Sequence, residues 1–321
     1  MKFNNQGDIQ SDFKIAVVIP AYKVKNKILK VIQEIGPEVT QIIVVDDACP
    51  QHSGKHVTKN CKDLRVKVMI HSKNMGVGGA VKTGYKEALE NSADIIIKID
   101  GDGQMNGSDI GKIIQPIIEG ESDYAKGNRF YHLKSLNQMP VSRIIGNAIL
   151  TLFSKISTGY WKISDPNNGF TAINSQTLNT LPLNKIHNRY FFESDMLFRL
   201  YCDRRVVKDI PIESKYGDEN SSLSILHTIL TFPYLHVRNF CKRFLYNYVL
   251  RDTSTATFEL PCGLMLFLFG LIRGISTWLE SQSTGVPSLT GTVVLSSISL
   301  ILGLQLILSF INHDIANSPR K

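Results

Sequence analysis

Two aspartates one residue apart, Asp100 and Asp102, stand in the stretch Lys98-Ile99-Asp100-Gly101-Asp102-Gly103-Gln104. Alternate residues of an extended segment point the same way, so both carboxylates can face one ion. Hard oxygen ligands flanked by glycine suit Mg²⁺ or Mn²⁺ carrying a diphosphate. The run Ala93–Ile99 leading into them is short, apolar and rich in isoleucine, which predicts a buried strand of a parallel sheet. In an open α/β sheet, ligands bind outside the carboxyl ends of the strands. An isolated Asp-x-Asp also fits a polar strand-end turn, so its meaning depends on what else reaches the same edge.

The elements that would position this pair repeat at a regular rhythm. Lys14–Pro20 predicts a first strand stopped by its proline and followed by Ala21 and Tyr22. A helix is expected over about Asn26–Ile35. A second strand, Gln41–Val45, runs into Asp46 and Asp47. A helix near His52–Cys61 and a third strand, Val66–Ile70, follow, and then Asn74-Met75-Gly76-Val77-Gly78-Gly79-Ala80 opens a helix ending near Leu89. The Asp-x-Asp strand is fourth. Strands alternating with helices in this way argue for a doubly wound, mostly parallel sheet, with Tyr22, Asp46, Asp47, Asn74, Asp100 and Asp102 on one edge. Gly76, Gly78 and Gly79 follow the third strand rather than the first, which fits a dehydrogenase fingerprint poorly. A glycine-lined helix N-terminus can still approach phosphate closely.

Composition narrows the class. The 321 residues are 43% hydrophobic and 20% charged, an ordinary globular balance. A net charge of +8 and a pI of about 9.1 favour anionic partners. Cys49, Cys61, Cys202, Cys241 and Cys262 show no paired or metal-binding spacing and read as reduced thiols. The polar stretch 1–12 lacks the apolar core of a signal peptide, so the expectation is a catalytic part that stays in the cytosol.

Ile19-Pro20-Ala21-Tyr22, Val45-Asp46-Asp47, Asn74-x-Gly76-Val77-Gly78 and Asp100-Gly101-Asp102-Gly103-Gln104, in that order, resemble the family-2 glycosyltransferases of the GT-A fold. The resemblance implies that Pro20, Ala21, Tyr22, Asp46, Asp47, Asn74, Gly78, Asp100 and Gly101 bind a nucleotide-sugar. It also implies that Asp100, Asp102 and Gln104 hold the metal. The chain departs from the family at Ala48-Cys49-Pro50, where a small Gly-Ser pair is usual.

Tyr124–Phe130 predicts a fifth strand whose end carries Arg129. Arg143 follows fourteen residues later, with Asn147 one helical turn beyond. Val141–Ile156 has helical apolar spacing, for packing on the sheet or for membrane contact. This Gly-Asn-Arg-Phe and Arg-x-x-x-Asn pattern resembles the polyprenyl-phosphate branch, which includes dolichyl-phosphate mannose synthases and bactoprenol glucosyltransferases. There the two arginines take the acceptor phosphate, which implies Arg129, Arg143 and Asn147 here. Arginine suits that task because its planar fork matches phosphate oxygens. Asn168 and Gly169, in the turn before a strand at Phe170–Ile173, are secondary candidates. Glu193 and Asp195, in the first turn of a helix opening near Tyr190, are further ones; such acids are also ordinary helix caps. The resemblance likens Tyr216–Ser221 to a mobile segment near the active site.

The expected organisation is a polar tail over 1–12, a GT-A catalytic domain over 13–222, amphipathic juxtamembrane helices over 223–256, two transmembrane helices within 257–312 (about 258–279 and 290–311), and a tail over 313–321. Arg238, Lys242, Arg243 and Arg251, interleaved with aromatic residues, suit anionic headgroups; nucleic acid as a partner is set aside because apolar spans follow. Leu260–Leu279 and Thr290–Ile311 are long enough to cross a bilayer, joined by a linker at Gln282–Pro287, with Arg273 inside the first. The basic flanks then place both termini in the cytosol of a cell or ER-type membrane. The expected activity is an inverting, metal-dependent transfer of one sugar, from a UDP-sugar in preference to GDP-mannose, to polyprenyl or dolichyl phosphate. A saccharide acceptor and a catalytically degenerate membrane adaptor are the rivals; the first would need Glu193 or Asp195 as a base. No Gln-x-x-Arg-Trp motif of processive synthases is present. A homo-oligomer stays open.

Overall fold

A computed structural model describes residues 13–131, 141–213 and 225–320, the side chains of 141–143 and 225–230 excepted. The expected tail over 1–12, the Tyr216–Ser221 loop and the Arg143 side chain lie outside the described residues. The chain forms two compact units, 1–240 with 319–321, and 241–318.

The first unit is built on a seven-stranded mixed sheet. Its strands are β1 (Ile15–Ala21), β2 (Gln41–Asp46), β3 (Val66–Ile70), β4 (Ile95–Lys98), β5 (Tyr124–Asn128), β6 (Thr171–Asn174) and β7 (Val207–Pro211), in spatial order β3-β2-β1-β4-β6-β5-β7. β1 to β4 are mutually parallel, as their isoleucine and valine runs predict for strands buried on both faces. β6 runs antiparallel to both β4 and β5, which brings the 164–170 loop back to the edge where β4 and β5 end. Pro20 does not stop β1, which continues to Ala21. Its pairing with β4 ends at Val18↔Lys98, so the N–H that proline lacks is not needed by that neighbour.

Alternation along β1 divides the core. Ile15, Val17 and Ile19 face a cluster with Ile28, Val31 and Ile32 of α1 (Ile28–Gln33) and Ile110, Ile113 and Ile114 of α4 (Ile110–Ile118). Ala16 and Val18 face Ala80, Val81 and Tyr85 of α3 (Val77–Glu90). α2 spans Ser53–Asn60, α5 Val141–Thr158, α6 Ser175–Thr180 and α7 Phe192–Cys202. α4 has an apolar face that the sequence reading passed over, and Pro116 lies within it. α8 (Ile225–Phe244) places Phe232, His236 and Asn239 in this unit, all buried.

The second unit holds the last turn of α8, a π-helical segment at Leu245–Arg251, α9 (Thr255–Thr284) and α10 (Thr290–Ala316). Both long helices are apolar and long enough to cross a membrane, with mean hydropathies of 1.7 and 2.3. They extend past the expected spans, and the expected linker is half helical because α9 runs to Thr284. Glycine lets the two backbones approach: a Cβ on Gly303 would lie 2.4 Å from the backbone nitrogen of Phe267. The expected basic face is smaller than the sequence suggests. Arg243 is fully buried on Asp314 at 2.5 and 3.0 Å, and Tyr248 donates to the same carboxylate.

Candidate functional site

The carboxyl ends of β1, β2 and β4 open into a cleft of about 830 Å³. Pro20, Ala21, Tyr22, Asp47, Asn74, Asp100, Gly101, Asp102 and Glu193 all line it, together with Lys23, Lys27, Arg189 and Tyr190. Most of the residues expected on one edge therefore do share one cavity. The two aspartates after β2 have different jobs. Asp46 is buried and does not line the cleft; its carboxylate accepts the N–H groups of Cys49 at 2.7 Å and Gly54 at 2.6 Å. It folds the loop between β2 and α2, in which Ala48 adopts a left-handed φ of 50°, the conformation that a glycine would take at no cost. Asp47 accepts from Met75 and Gly76, both at 2.7 Å, and contacts His71 Nδ1 at 2.8 Å. It ties the loop after β3 to the end of β2.

The glycine loop before α3 proves to be a packing device. Gly79 donates its N–H to the carbonyl of Asn188, and a Cβ on Gly78 would lie 2.5 Å from the carbonyl of His187. Gly78 is buried and off the cleft wall, packed against the 187–192 segment. Gly76, Val77 and Ala80 line the cleft instead.

Lys98 went unassigned in the sequence although it opens the motif. It is 1% exposed, and its ammonium lies 2.9 Å from Asp100 Oδ1 and 3.0 Å from Glu193 Oε1. Burial alone would lower its pKa, but the two carboxylates outweigh that and raise it, so Lys98 is a fixed cation beneath the Asp-x-Asp pair. Asp102 behaves in the opposite sense. Burial, and then the neighbouring charge of Asp100, push its carboxyl above the usual range against the opposing pull of Lys98 and Lys27. Gln104 contributes a backbone N–H to Asp102 Oδ1 at 3.1 Å and is not on the cleft wall. No group of three or more His, Cys, Asp or Glu capable of holding a metal occurs among the described residues. Two carboxylates completed by substrate oxygens and water fit a hard divalent ion such as Mg²⁺.

Glu193 and Asp195 part company despite sharing the first turn of α7. Glu193 faces the cleft and is held by Lys98. Asp195 is fully buried, accepting from the His187 N–H at 2.9 Å and from Asn239 Nδ2 at 3.0 Å. It joins α7, the 187 loop and α8, and does not reach the cleft.

Arg129, just past β5, is not on the cleft wall. Its guanidinium is paired edge-on with Asp165: Nε to Oδ2 and Nη2 to Oδ1, both 2.7 Å. Asn147 lines a second, apolar cavity of about 390 Å³ with Phe130, Ile144, Leu152 and Lys155. The outer face of α5 carries exposed Ile145, Ile149, Leu152 and Phe153, so this helix presents apolar surface as well as packing inward. Asn168 donates to Asp165 Oδ2 at 3.0 Å, and Gly169 backs directly onto Asp100 and Lys98. The 164–170 loop thus connects the arginine to the Asp-x-Asp pair.

Comparison with known proteins gives this geometry a context. The profile described as glycosyl transferase family 2 matches residues 16–181, more than half of the chain. The chain is 30% identical over 222 residues to a UDP-N-acetylglucosamine–dolichyl-phosphate N-acetylglucosaminyltransferase of Methanococcus voltae, covering 65% of this chain and 88% of that one. It is 25% identical over 221 residues to an undecaprenyl-phosphate mannosyltransferase of Micrococcus luteus, covering 66% and 89%. Glucosyl-3-phosphoglycerate synthase of Mycobacterium tuberculosis, crystallised with Mn²⁺, UDP-glucose and phosphoglyceric acid, superposes with a TM-score of 0.54 at 17% identity, over 72% of this chain and 80% of that one. The shared architecture is the GT-A fold.

Proposed function

The chain belongs to glycosyl transferase family 2, and from that premise we propose that it moves one sugar from a nucleotide-sugar to a polyprenyl or dolichyl phosphate at the cytosolic face of a membrane. One observation carries the choice of acceptor: among the described residues, every acid lining the cleft is already engaged. Asp47 is held by backbone N–H groups, Asp100 and Glu193 by Lys98, and Asp102 by the backbone N–H of Gln104. A sugar hydroxyl needs a positioned base to lose its proton. A phosphate is already ionised at neutral pH and needs none.

The chain's own residues supply orientation and charge. Pro20, Ala21, Tyr22 and Asn74 form the wall against which the nucleotide would lie, with Lys23 and Lys27 near its phosphates. Asp100 and Asp102 would hold the divalent cation, Mg²⁺ or Mn²⁺, which when bound neutralises charge developing on the departing nucleotide diphosphate. Lys98 keeps Asp100 and Glu193 in place beneath that position. Arg129, with Arg143 and Asn147, would hold the acceptor phosphate for in-line attack on the anomeric carbon, which inverts its configuration. A UDP-sugar is the favoured donor, because the relative from Methanococcus voltae is named for one. The α9–α10 hairpin would anchor the enzyme, with both termini cytosolic.

The test is nucleotide release by the full-length enzyme in detergent or vesicles, with polyprenyl phosphate or a neutral saccharide as acceptor. Release that depends on the lipid phosphate supports the proposal. Release driven by the saccharide and indifferent to the lipid phosphate overturns it.

A further inference from the structure

Asp165 lies in a stretch that reads in sequence only as a turn. We infer that Asp165 is a positioning residue for Arg129, fixing the orientation in which this guanidinium meets the acceptor phosphate; the inference rests on the acceptor reading of Arg129 given above.

Asp165 is 2% exposed, and both of its oxygens lie on one edge of the Arg129 guanidinium. Oδ2 also accepts the backbone N–H of Arg129 at 3.2 Å. A two-bonded carboxylate–guanidinium pair sets the plane and the rotation of the fork together, which one hydrogen bond cannot do. Arginine has several rotatable bonds, and a side chain held in one rotamer before the ligand arrives spares the binding step that ordering.

The aspartate is itself held from several sides. Its backbone has φ = 51°, a left-handed conformation unfavourable for a side chain with a Cβ. Lys126, 1% exposed, donates to the carbonyls of Asp165 at 2.6 Å and Ser164 at 2.8 Å. Asp209 accepts from the Ser164 N–H at 2.6 Å and from Asn128 Nδ2 at 3.1 Å. Asn128 in turn accepts the N–H of Phe130 at 2.9 Å, closing a ring of bonds around Arg129. A left-handed non-glycine backbone costs free energy that the surrounding bonds must offset, and such strain clusters where a side chain has to be aimed. The same loop places Gly169 against Asp100, so the segment that aims the arginine also supports the carboxylate of the donor site.

The experiment is steady-state kinetics of the full-length enzyme, with nucleotide-sugar and polyprenyl phosphate varied separately. The proteins are wild type, Asp165→Asn, Arg129→Ala and the double variant. Asparagine has nearly the same shape and tolerates the left-handed backbone. Asp165→Asn should raise the acceptor KM about tenfold, the scale of one oriented charge-assisted contact, with the donor KM and melting temperature near wild type. In the Arg129→Ala background it should add less than about twofold, because the two residues act as one unit. Equal rises in both KM values, or a full additional loss in the Arg129→Ala background, would assign Asp165 a purely structural role and overturn the inference. Should Asp165→Asn not accumulate, Asn168→Ala, which removes the 3.0 Å bond to Asp165 Oδ2, decides instead. It should raise the acceptor KM alone, by about threefold; an unchanged acceptor KM overturns the inference. An Arg129→Ala enzyme with a normal acceptor KM would mean that the acceptor reading itself has failed, which is a different outcome from a failure of Asp165 alone.

Discussion

Gly169→Ala is a sharp perturbation of the proposed donor site, because it adds one methyl behind Asp100 without changing a residue of the cleft wall. A Cβ at this position would lie 2.2 Å from Asp100 Oδ2 and 2.4 Å from Lys98 Nζ. Ordinary contact begins near 3.4 Å, so against 2.2 Å the carboxylate must retreat by about 1 Å. It cannot retreat towards Lys98, which the new methyl also crowds, and it cannot turn away without breaking the 2.9 Å ion pair. A misplacement of about 1 Å in a reacting constellation costs about a hundredfold. That is about 2.7 kcal/mol of transition-state stabilisation. Overpacking should cost a further ~1–3 kcal/mol of stability, which leaves a folded protein to assay. The measurement is nucleotide release against metal concentration, with Gly111→Ala as the control, since a Cβ on Gly111 meets nothing within 4 Å. The expected result is kcat/KM down about a hundredfold, with the metal dependence shifted to higher concentration. A Gly169→Ala enzyme with wild-type kcat/KM and metal dependence would refute the argument that Asp100 is held in a productive position.

Asp102→Asn should abolish turnover while expression and membrane insertion persist; full activity, or wild-type turnover insensitive to EDTA, would remove the metal role. The proposed topology puts the α9–α10 linker across the membrane from the catalytic unit, so Ser283→Cys in an otherwise cysteine-free chain should react with an impermeant thiol reagent in intact cells. Protection there would mean an inverted or absent hairpin. His236 is 3% exposed and bonds Ser157 at 2.7 Å, and burial lowers its pKa from 6.5 to about 4. The unfolded chain therefore binds more protons between those values. Stability should rise with pH across that window and be lost as pH falls through it, by up to about 3 kcal/mol. Denaturant melts at pH 7.5 and pH 5 should show this slope, and His236→Gln should flatten it; identical slopes would show that His236 is not the titrating group.

The repeating strand–helix rhythm and the four motifs were legible because strand ends in a parallel sheet carry polar residues straight after apolar runs. Asp47, Asn74, Asp100 and Asp102 accordingly share the cleft, which Glu193 reaches from the first turn of α7. What sequence could not express was the direction of each side chain. Asp46 and Asp47 are adjacent, yet one folds its own loop and the other anchors a neighbouring one. Glu193 and Asp195 sit in one helical turn, and the two-residue offset sends one to Lys98 and the other into the α7–α8 contact. Lys98 was silent because an apolar strand with one lysine looks like a strand with a surface charge; its role depends on α7, ninety-five residues later. Asp165 was hidden in a turn signal, and its bond to Arg129 exists only because β6 runs antiparallel beside β5. Arg243 resembled a headgroup-facing charge until its partner Asp314, seventy-one residues on, was in place.

The central claim is transfer of a sugar onto a lipid phosphate, and the chemical structure of the product tests it most directly. The full-length enzyme is incubated with polyprenyl phosphate and a panel of nucleotide-sugars, and the lipid fraction is analysed by mass and by linkage. The expected product is the polyprenyl phosphate carrying a single sugar through a phosphodiester at the anomeric carbon, with configuration inverted relative to the donor. A lipid fraction without added sugar, alongside a new glycosidic bond to a saccharide hydroxyl, would contradict the account.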